Sequence, residues 1–168
     1  FSLQDKITLV TGASRGIGEA IAHVFAQNGA TVILVSRKQE PLDEVAKAIE
    51  ADGGKAVAIA AHCGKGEEIQ VLMDRVKADF GRLDVLVNNA GTTLQSGPST
   101  DFSELMFDKV MALNTKGPFL LSQHAVRMMI DQGGGSIVNV ASTAALKASP
   151  TQVVYSMSKF AMVAMTKG

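Results

Sequence analysis

Tyr155, the only tyrosine in the chain, stands four residues before Lys159 in a segment with helical spacing, so the two side chains share a helix face. A free phenol has a pKa near ~10 and is a poor acid or base at neutral pH, but a neighbouring ammonium favours the phenolate. Ser142 lies thirteen residues before Tyr155, at the end of a predicted strand, where its hydroxyl could reach the same point. This pattern indicates proton transfer at an oxygen atom. The alternatives are a turn role for Ser142 and a solvated helix position for Lys159.

A second candidate site is a glycine-rich segment between the first predicted strand and the first predicted helix. Glycines in this place allow a tight turn and a close approach of backbone to ligand, and the amides at a helix N-terminus suit a pyrophosphate. A plain turn is the alternative. The Gly-Lys-Ser/Thr ending of a nucleoside-triphosphate loop is missing, which disfavours ATP or GTP hydrolysis. We therefore predict a dinucleotide site, with candidate residues Gly12, Ser14, Arg15, Gly16, Ile17 and Gly18.

The end of the second predicted strand bears on the choice between the two nicotinamide cofactors. An acidic residue there would bind the ribose 2′-hydroxyl and repel a 2′-phosphate. This chain has Ser36, Arg37 and Lys38 instead. Arg37, with Arg15 across the loop, could bind the phosphate through charge-assisted hydrogen bonds, whereas Lys38 is better explained as a solvated cation. The prediction is NADP.

The secondary-structure pattern predicts how these residues are positioned. Strand and helix alternate five times along the chain. The predicted strands are residues 6–11, 31–35, 55–61, 83–87 and 136–140, and the predicted helices are 16–28, 41–51, 67–80, 103–131 with a bend at 117–118, and one from 153. Unbroken apolar strands indicate burial on both faces. We predict an α/β fold, a Rossmann-type doubly wound parallel sheet with helices on both faces, forming a single domain over residues 1–168.

Composition narrows the class of protein. The 168 residues carry 16 basic and 16 acidic side chains, and zero net charge argues against a nucleic-acid partner. No stretch approaches the ~20 apolar residues that cross a bilayer, the first residues do not form a signal peptide, and no metal site is predicted. The single cysteine, Cys63, favours a reducing compartment, so we expect a cytoplasmic protein without a membrane partner. The chain starts at Phe1 and stops inside an amphipathic pattern, so we also expect a truncated C-terminus.

The glycine loop, Asn88-Asn89-Ala90-Gly91, Asn114, Ser142 and Tyr155-x-x-x-Lys159 together resemble the short-chain dehydrogenase/reductase family from about Lys6 onwards. The resemblance implies that Tyr155 protonates the carbonyl oxygen during reduction and acts as the base in the reverse direction. Lys159 would favour the phenolate and bind the nicotinamide ribose, and Ser142 would hold the substrate oxygen.

The resemblance also implies roles for residues between the two motifs. Asn114 would bind a water that links Lys159 to solvent in a proton relay. The adenosine and ribose side of the cofactor would be lined by Asn89, Ala90 and Gly91, which would also stabilise the central sheet.

This chain departs from the family pattern at His62, after Gly91 and in its missing C-terminal part. His62, followed by Cys63, replaces an aspartate expected at the adenine edge, and both are candidate cofactor-binding residues. His62 could contact adenine, and the alternative is a plain surface histidine. Ser36-Arg37-Lys38-Gln39 with His62-x-Gly64-Lys65 resembles a subgroup of NADPH-dependent carbonyl reductases. Thr92-Thr93-Leu94-Gln95 lacks the threonine-arginine-aspartate sequence frequent in β-ketoacyl-carrier-protein reductases, which argues against fatty-acid synthesis.

The predicted function is an oxidoreductase that interconverts an alcohol and a ketone or aldehyde with NADP(H). Members of the family are longer, so we expect the C-terminal strands and the substrate lid to be missing, and the substrate is not predicted. The alternatives are an NADP-binding fragment without turnover and an NAD-dependent alcohol dehydrogenase. The family also implies a homodimer or homotetramer, formed through residues 119–129 and 156–165. Methionines in these segments suit either an interface or the core.

Overall fold

A computed structural model describes residues 2–94 and 97–168 of the chain. Phe1, Gln95 and Ser96 lie outside the described residues, and so does the part of the Thr92-Thr93-Leu94-Gln95 expectation that falls on Gln95. The strands are β1 Ile7–Thr11, β2 Thr31–Ser36, β3 Lys55–Ala60, β4 Val85–Asn88 and β5 Ser136–Asn139. The helices are α1 Gly16–Gln27, α2 Gln39–Ala51, α3 Gly66–Phe80, α4 Glu104–Met111, α5 Gly117–Asp131 and α6 Val153–Lys167.

The five strands form one parallel sheet in the order β3-β2-β1-β4-β5. The chain moves outward from β1 to β3, then returns to place β4 on the other side of β1. The carboxyl ends of β1 and β4 therefore flank the point at which the strand order reverses. Ligands of such sheets bind at this crevice.

Successive residues of β1 face opposite layers, and each layer has its own apolar core. Leu9 packs with residues of α3 and α5 such as Ile69 and Leu121. Val10 packs on the other face with residues of α1 and α2 such as Ala22 and Leu42. All of these side chains are buried, which explains why the strands are apolar without alternation. The predicted Rossmann-type sheet with helices on both faces is confirmed.

The predicted helical stretch over 103–131 is helical from Glu104 to Asp131, but it is not one regular α-helix. Ser103 caps α4 by accepting a hydrogen bond from Met106 N at 3.3 Å, and a π-helical turn, Ala112–Lys116, separates α4 from α5. The irregularity therefore lies directly before the predicted bend at 117–118. Gly117 has a different role: a Cβ atom there would overlap the carbonyl oxygen of Cys63, so glycine lets α5 approach the loop after β3.

Asp84 joins the start of β4 to the start of β1. Its carboxylate accepts hydrogen bonds from Ile7 N at 2.9 Å, from Arg82 Nη2 at 2.6 Å and from Lys6 Nζ at 3.4 Å. Burial alone would raise the pKa of Asp84, but the hydrogen bonds from Arg82, Ile7 and Lys6 together lower it. The carboxylate is thus held ionised beneath the sheet edge opposite the crevice.

The two outer edges of the sheet differ. At β3 the side-chain amide of Gln39 donates to Ala58 O at 3.2 Å and accepts from Ala60 N at 3.0 Å, so it occupies part of that edge. At β5, Val138 is 45% exposed, and β4 is the one neighbouring strand in the described structure.

No helix in residues 2–94 or 97–168 has the length and apolar character needed to cross a membrane.

Candidate active site

The glycine loop follows β1 at the crevice and ends at the first turn of α1. Gly12 and Gly16 have φ angles of +67° and +62°, which other residues rarely adopt. Gly18 is needed for space, because a Cβ atom would overlap the Gly12 carbonyl oxygen and lie 2.6 Å from Asn89 Nδ2. Arg15 is extended at the N-cap, and no side chain caps the helix there. Ser14 is half-buried and Arg15 to Ile17 are exposed, so the amides of the first turn are open to an anion.

Thr11 holds the loop after β4 against the glycine loop. Its Oγ1 accepts hydrogen bonds from Asn89 N at 2.9 Å and Ala90 N at 3.0 Å, and donates to Val87 O at 3.1 Å. Asn89 Nδ2 also donates to Thr11 O at 2.9 Å. Thr11 was not among the residues proposed from sequence. The available signal was a polar residue at the end of an apolar strand.

The end of β2 presents its cations to solvent. Ser36 is half-buried, whereas Arg37 and Lys38 are exposed. Neither Arg15 nor Arg37 forms an ion pair with any described side chain. The bonds of Gln39 to β3 fix the residue that begins α2 and hence the turn that carries Arg37. Two guanidinium groups on adjacent loops thus remain available for an anionic ligand.

His62 and Cys63 follow β3 and differ in accessibility. The half-buried His62 accepts a hydrogen bond from Gly64 N on its Nδ1 at 3.0 Å, and its own amide donates to Glu68 Oε2 at 2.6 Å. The bond from the His62 amide, and a second from Lys65, lower the pKa of Glu68. Cys63 is only 3% exposed, and burial raises the pKa of its thiol to about 12. Its side chain belongs to the core, so a cofactor could reach only its main chain.

Asn114 lies in the π-helical turn and is fully buried. Its Oδ1 accepts from Thr92 N at 2.9 Å, and its Nδ2 donates to Thr92 O at 2.8 Å and to Ser158 Oγ at 3.0 Å. Pro118, four residues later, has no N–H to donate to the carbonyl of Asn114 as an ordinary α-helical residue would. The side chain of Asn114 thus forms hydrogen bonds within the protein, whereas its main-chain carbonyl has no hydrogen bond from residue 118.

Lys159 is buried beside Tyr155 on α6. Lys159 is 4% exposed; its Nζ donates to Val140 O at 2.8 Å, contacts Met162 Sδ at 3.5 Å and lies 5.9 Å from the centre of the half-buried Tyr155 ring. Burial lowers the pKa of Lys159. The alternative that Lys159 is a solvated helix position is wrong. Because an ammonium has three donors, one remains after these two contacts.

Ser142 caps a short 3₁₀ turn, Thr143–Ala145, that packs against α6. Its Oγ accepts from Ala144 N at 3.1 Å, so the turn role considered for this residue is confirmed. That bond uses a lone pair and leaves the hydroxyl hydrogen for another acceptor. A turn role and a substrate-binding role are thus compatible.

Close contacts bring Gly91, Asn114 and Lys159 together. A Cβ atom on Gly91 would lie 3.3 Å from Asn114 Oδ1 and 3.5 Å from Lys159 Nζ, so the loop after β4 passes directly over both. Sequence reasoning missed Thr92 and Ser158, the two residues that connect this loop and α6 to Asn114.

The arrangement fits a dinucleotide. The open first turn of α1 and the glycine backbone suit a pyrophosphate, and the exposed Gly91 lies directly beside Lys159. Within the described ranges, no group of three or more His, Cys, Asp or Glu side chains is arranged to hold a metal ion.

Comparison with known proteins identifies the family. The short chain dehydrogenase family model matches residues 6–168. An uncharacterized oxidoreductase of Thermotoga maritima is 45% identical over 166 residues, and an NAD-dependent glycerol dehydrogenase of Listeria innocua is 38% identical over 167 residues; each alignment covers 99% of this chain. The solved structure of a metagenomic short-chain oxidoreductase in complex with NADP has a TM-score of 0.96 at 36% identity, over 99% of this chain and 75% of that chain.

The chain spans 65% of the Thermotoga protein and 64% of the Listeria protein. The similarity therefore covers nearly all of this sequence and about two thirds of its relatives. The structural likeness extends over the same residues, including the glycine loop and α6. On this evidence the chain belongs to the short-chain dehydrogenase family of oxidoreductases.

Proposed function

We propose that the protein interconverts an alcohol and a ketone or aldehyde by hydride transfer with NADP(H). The observation that carries this proposal is the buried ammonium of Lys159, 5.9 Å from the Tyr155 ring centre and directly under Gly91. Burying a charged group costs free energy unless hydrogen bonds or opposite charges compensate for the lost water. Such an ammonium is suited to stabilise negative charge on the Tyr155 oxygen.

The proposed chemistry divides among four residues. The nicotinamide, when bound, supplies or accepts the hydride. The Tyr155 hydroxyl gives its proton to the carbonyl oxygen in reduction, and the deprotonated Tyr155 oxygen takes the alcohol proton in oxidation. Ser142 donates its free hydroxyl hydrogen to the same substrate oxygen. Lys159 would bind the nicotinamide ribose, and its ammonium would stabilise the negative charge that develops on the Tyr155 oxygen. The Asn114 turn would carry protons between Lys159 and solvent through a water.

The preference for NADP(H) over NAD(H) rests on charge. Arg37 and Arg15 are exposed without an ion-pair partner in the described structure, and the end of β2 carries no acidic residue. Ser36, Arg37 and the His62 loop also support the resemblance to NADPH-dependent carbonyl reductases. The second candidate is an NAD-dependent alcohol dehydrogenase, favoured by the NAD-dependent glycerol dehydrogenase relative.

We propose a single cofactor-binding domain that forms a homodimer or homotetramer in the cytoplasm. An apolar groove of about 610 Å³ lies along α4, α5 and α6, lined by Met111, Phe119, Met162 and Met165 among others, and Phe119 is 54% exposed. An apolar groove bordered by an exposed phenylalanine supports burial against another copy. From the segments 119–129 and 156–165 considered for this role, Phe119, Ala161, Met162 and Met165 line the groove.

Turnover and cofactor preference test the proposal. The purified protein should oxidise NADPH with simple ketones or aldehydes, and Tyr155→Phe should lower kcat by about 100-fold or more while NADPH still binds. Arg37→Asp should weaken NADPH binding by roughly 10- to 100-fold relative to NADH, the worth of one or two charge-assisted hydrogen bonds.

Lys38→Asp is the matched control for charge, because Lys38 is an exposed neighbouring cation without a proposed phosphate contact. It should change the preference far less than Arg37→Asp. Equal effects of the two variants would show that the phosphate assignment is wrong. Full activity of Tyr155→Phe would remove the proposed mechanism.

A further inference from the structure

Ser158 lies between two parts of the candidate active site that come from different helices. It is fully buried on α6, one residue before Lys159 and three after Tyr155. Its hydroxyl donates to Tyr155 O at 2.7 Å and accepts from Asn114 Nδ2 at 3.0 Å. We propose that Ser158 is a positioning residue that fixes the Tyr155–Lys159 pair relative to the Asn114 turn, an inference that rests on the proposed function.

The hydrogen bond to Tyr155 alone would not require this role. A serine inside a helix commonly donates to a carbonyl one turn earlier, and the bond to Tyr155 O is of this local kind. The bond from Asn114 is different, because it joins residues 44 positions apart on separate elements. Only the second bond relates α6 to the π-helical turn.

Both amide hydrogens of the Asn114 side chain are used in hydrogen bonds. Its Oδ1 accepts from Thr92 N, and its two Nδ2 hydrogens are used by Thr92 O and Ser158 Oγ. Because Asn114 is fully buried, loss of the serine oxygen would leave one amide hydrogen without an acceptor. The turn and α6 would then move to relieve it.

Such a movement would displace the groups proposed to take part in proton transfer. The Lys159 ammonium and the Asn114 side chain meet under Gly91, within 3.5 Å of the position of a Cβ atom there. A displacement of about 1 Å between reacting groups can lower a rate by about 100-fold. Ser158 would therefore affect kcat rather than the binding of the cofactor, whose proposed contacts lie mainly at α1 and β2.

The chain provides a matched control on the same helix. Ser156 is 2% exposed, and its Oγ has no hydrogen-bond partner among the described residues. Ser156→Ala removes a buried hydroxyl of the same size two residues away, without removing a bond between elements. Any effect specific to Ser158 must exceed that of Ser156→Ala.

The test uses the single tyrosine of the chain. With ¹³C-labelled tyrosine, the ring signals arise from Tyr155 alone. Ser158→Ala should shift these signals and lower kcat by about tenfold or more, with KM for NADPH within about twofold of the parent. Ser158→Thr keeps the hydroxyl and should restore most of kcat, and Ser156→Ala should leave both signals and kcat at parent values.

The contrary result is equally clear. If Ser158→Ala and Ser156→Ala give the same ring signals and the same kcat, Ser158 has no positioning role. Should Ser158→Ala fail to fold, Ser158→Cys, whose sulfur is a weaker acceptor, is compared with Ser158→Thr by the same criteria. Parent-like activity of Tyr155→Phe would instead remove the proposed function, and the ring signals would then decide the role of Ser158 alone.

Discussion

Thr11 and Asn89 are joined by two hydrogen bonds, one from the Asn89 amide to Thr11 Oγ1 and one from Asn89 Nδ2 to Thr11 O, each 2.9 Å long. Thr11 is the last residue of β1 and Asn89 is the first residue after β4, and the strand order reverses between these two neighbouring strands. The bonds therefore set the distance between the glycine loop and the loop that covers Lys159. The spacing of the proposed cofactor and proton-transfer sites depends on this pair.

Thr11→Val should separate these loops. Valine keeps the shape of threonine but leaves the amides of Asn89 and Ala90 without their acceptor, at a cost of about 2 kcal/mol in the free energy of unfolding. NADPH should bind more weakly as well. Chemical denaturation and cofactor titration measure the two effects. Thr8→Val is the control, since Thr8 is equally buried on β1 but makes one long bond of 3.4 Å; equal losses in both variants would contradict the prediction.

Gly18→Ala should be destabilising by about 2 kcal/mol, the usual cost of overpacking a site that cannot yield. The added Cβ atom would overlap the Gly12 carbonyl oxygen and crowd Asn89, and neither group is the flexible end of a side chain free to move. Gly66→Ala, at the start of α3, is the control, because its Cβ atom would meet only Leu120 Cδ1 at 3.6 Å. Thermal unfolding of both variants measures the difference, and a Gly18→Ala protein as stable as Gly66→Ala would refute the steric argument.

The sequence was sufficient for the strands and for the ligand crevice, because buried parallel strands are unbroken apolar runs bounded by glycine. The predicted strand over 83–87 and the observed Val85–Asn88 differ by no more than two residues at either end. The π-helical turn Ala112–Lys116 could not be predicted in this way, since such turns are rare and occur singly inside α-helices. The partners of Asn114 were missed for another reason: Thr92 and Ser158 meet it only through tertiary packing.

Asp84→Asn should lower the free energy of unfolding by about 2 kcal/mol near neutral pH, because it removes a carboxylate bound by charged donors. The hydrogen bonds hold the pKa of Asp84 below its ordinary value of 3.8 in the folded protein. The stabilisation is therefore complete above pH 3.8 and is lost as pH falls through the lower folded value. The variant should show a smaller loss of stability over that acidic range than the parent.

A series of urea unfolding curves from neutral to acidic pH measures this effect. Asp79→Asn is the control, since Asp79 forms an exposed i,i+4 pair with Arg75 at 3.2 Å. Exposed pairs of this kind contribute about 0.5 kcal/mol or less. An Asp84→Asn protein with the same acid response as the parent would show that the carboxylate does not stabilise the sheet.

Lys159→Met should abolish turnover and raise the melting temperature at neutral pH. Burial lowers the pKa of Lys159 below its ordinary value of 10.5, so the folded state binds this proton less strongly than the unfolded state. The charged Lys159 therefore lowers the free energy of unfolding. This loss of stability is complete below the pKa of Lys159 in the folded protein and declines as pH rises towards 10.5. The stabilisation by methionine should decline over the same range.

Melting temperatures at neutral and alkaline pH measure this trend. Lys167→Met, on the exposed last turn of α6, is the control and should show no such gain. A lower melting temperature for Lys159→Met at every pH would mean that the bond from Nζ to Val140 O outweighs the cost of burying the charge.

The side-chain amide of Gln39 blocks one edge of the sheet and leaves the opposite edge as the place where another strand could pair. By filling the hydrogen-bonding positions of Ala58 and Ala60, it ends the sheet at β3 with a side chain that another strand would have to displace. The opposite end stops at the main chain of β5, where Val138 is half exposed. Additional polypeptide that extends this sheet would therefore join beside β5, next to α6, and each added strand would lie closer to Tyr155 than to Arg37.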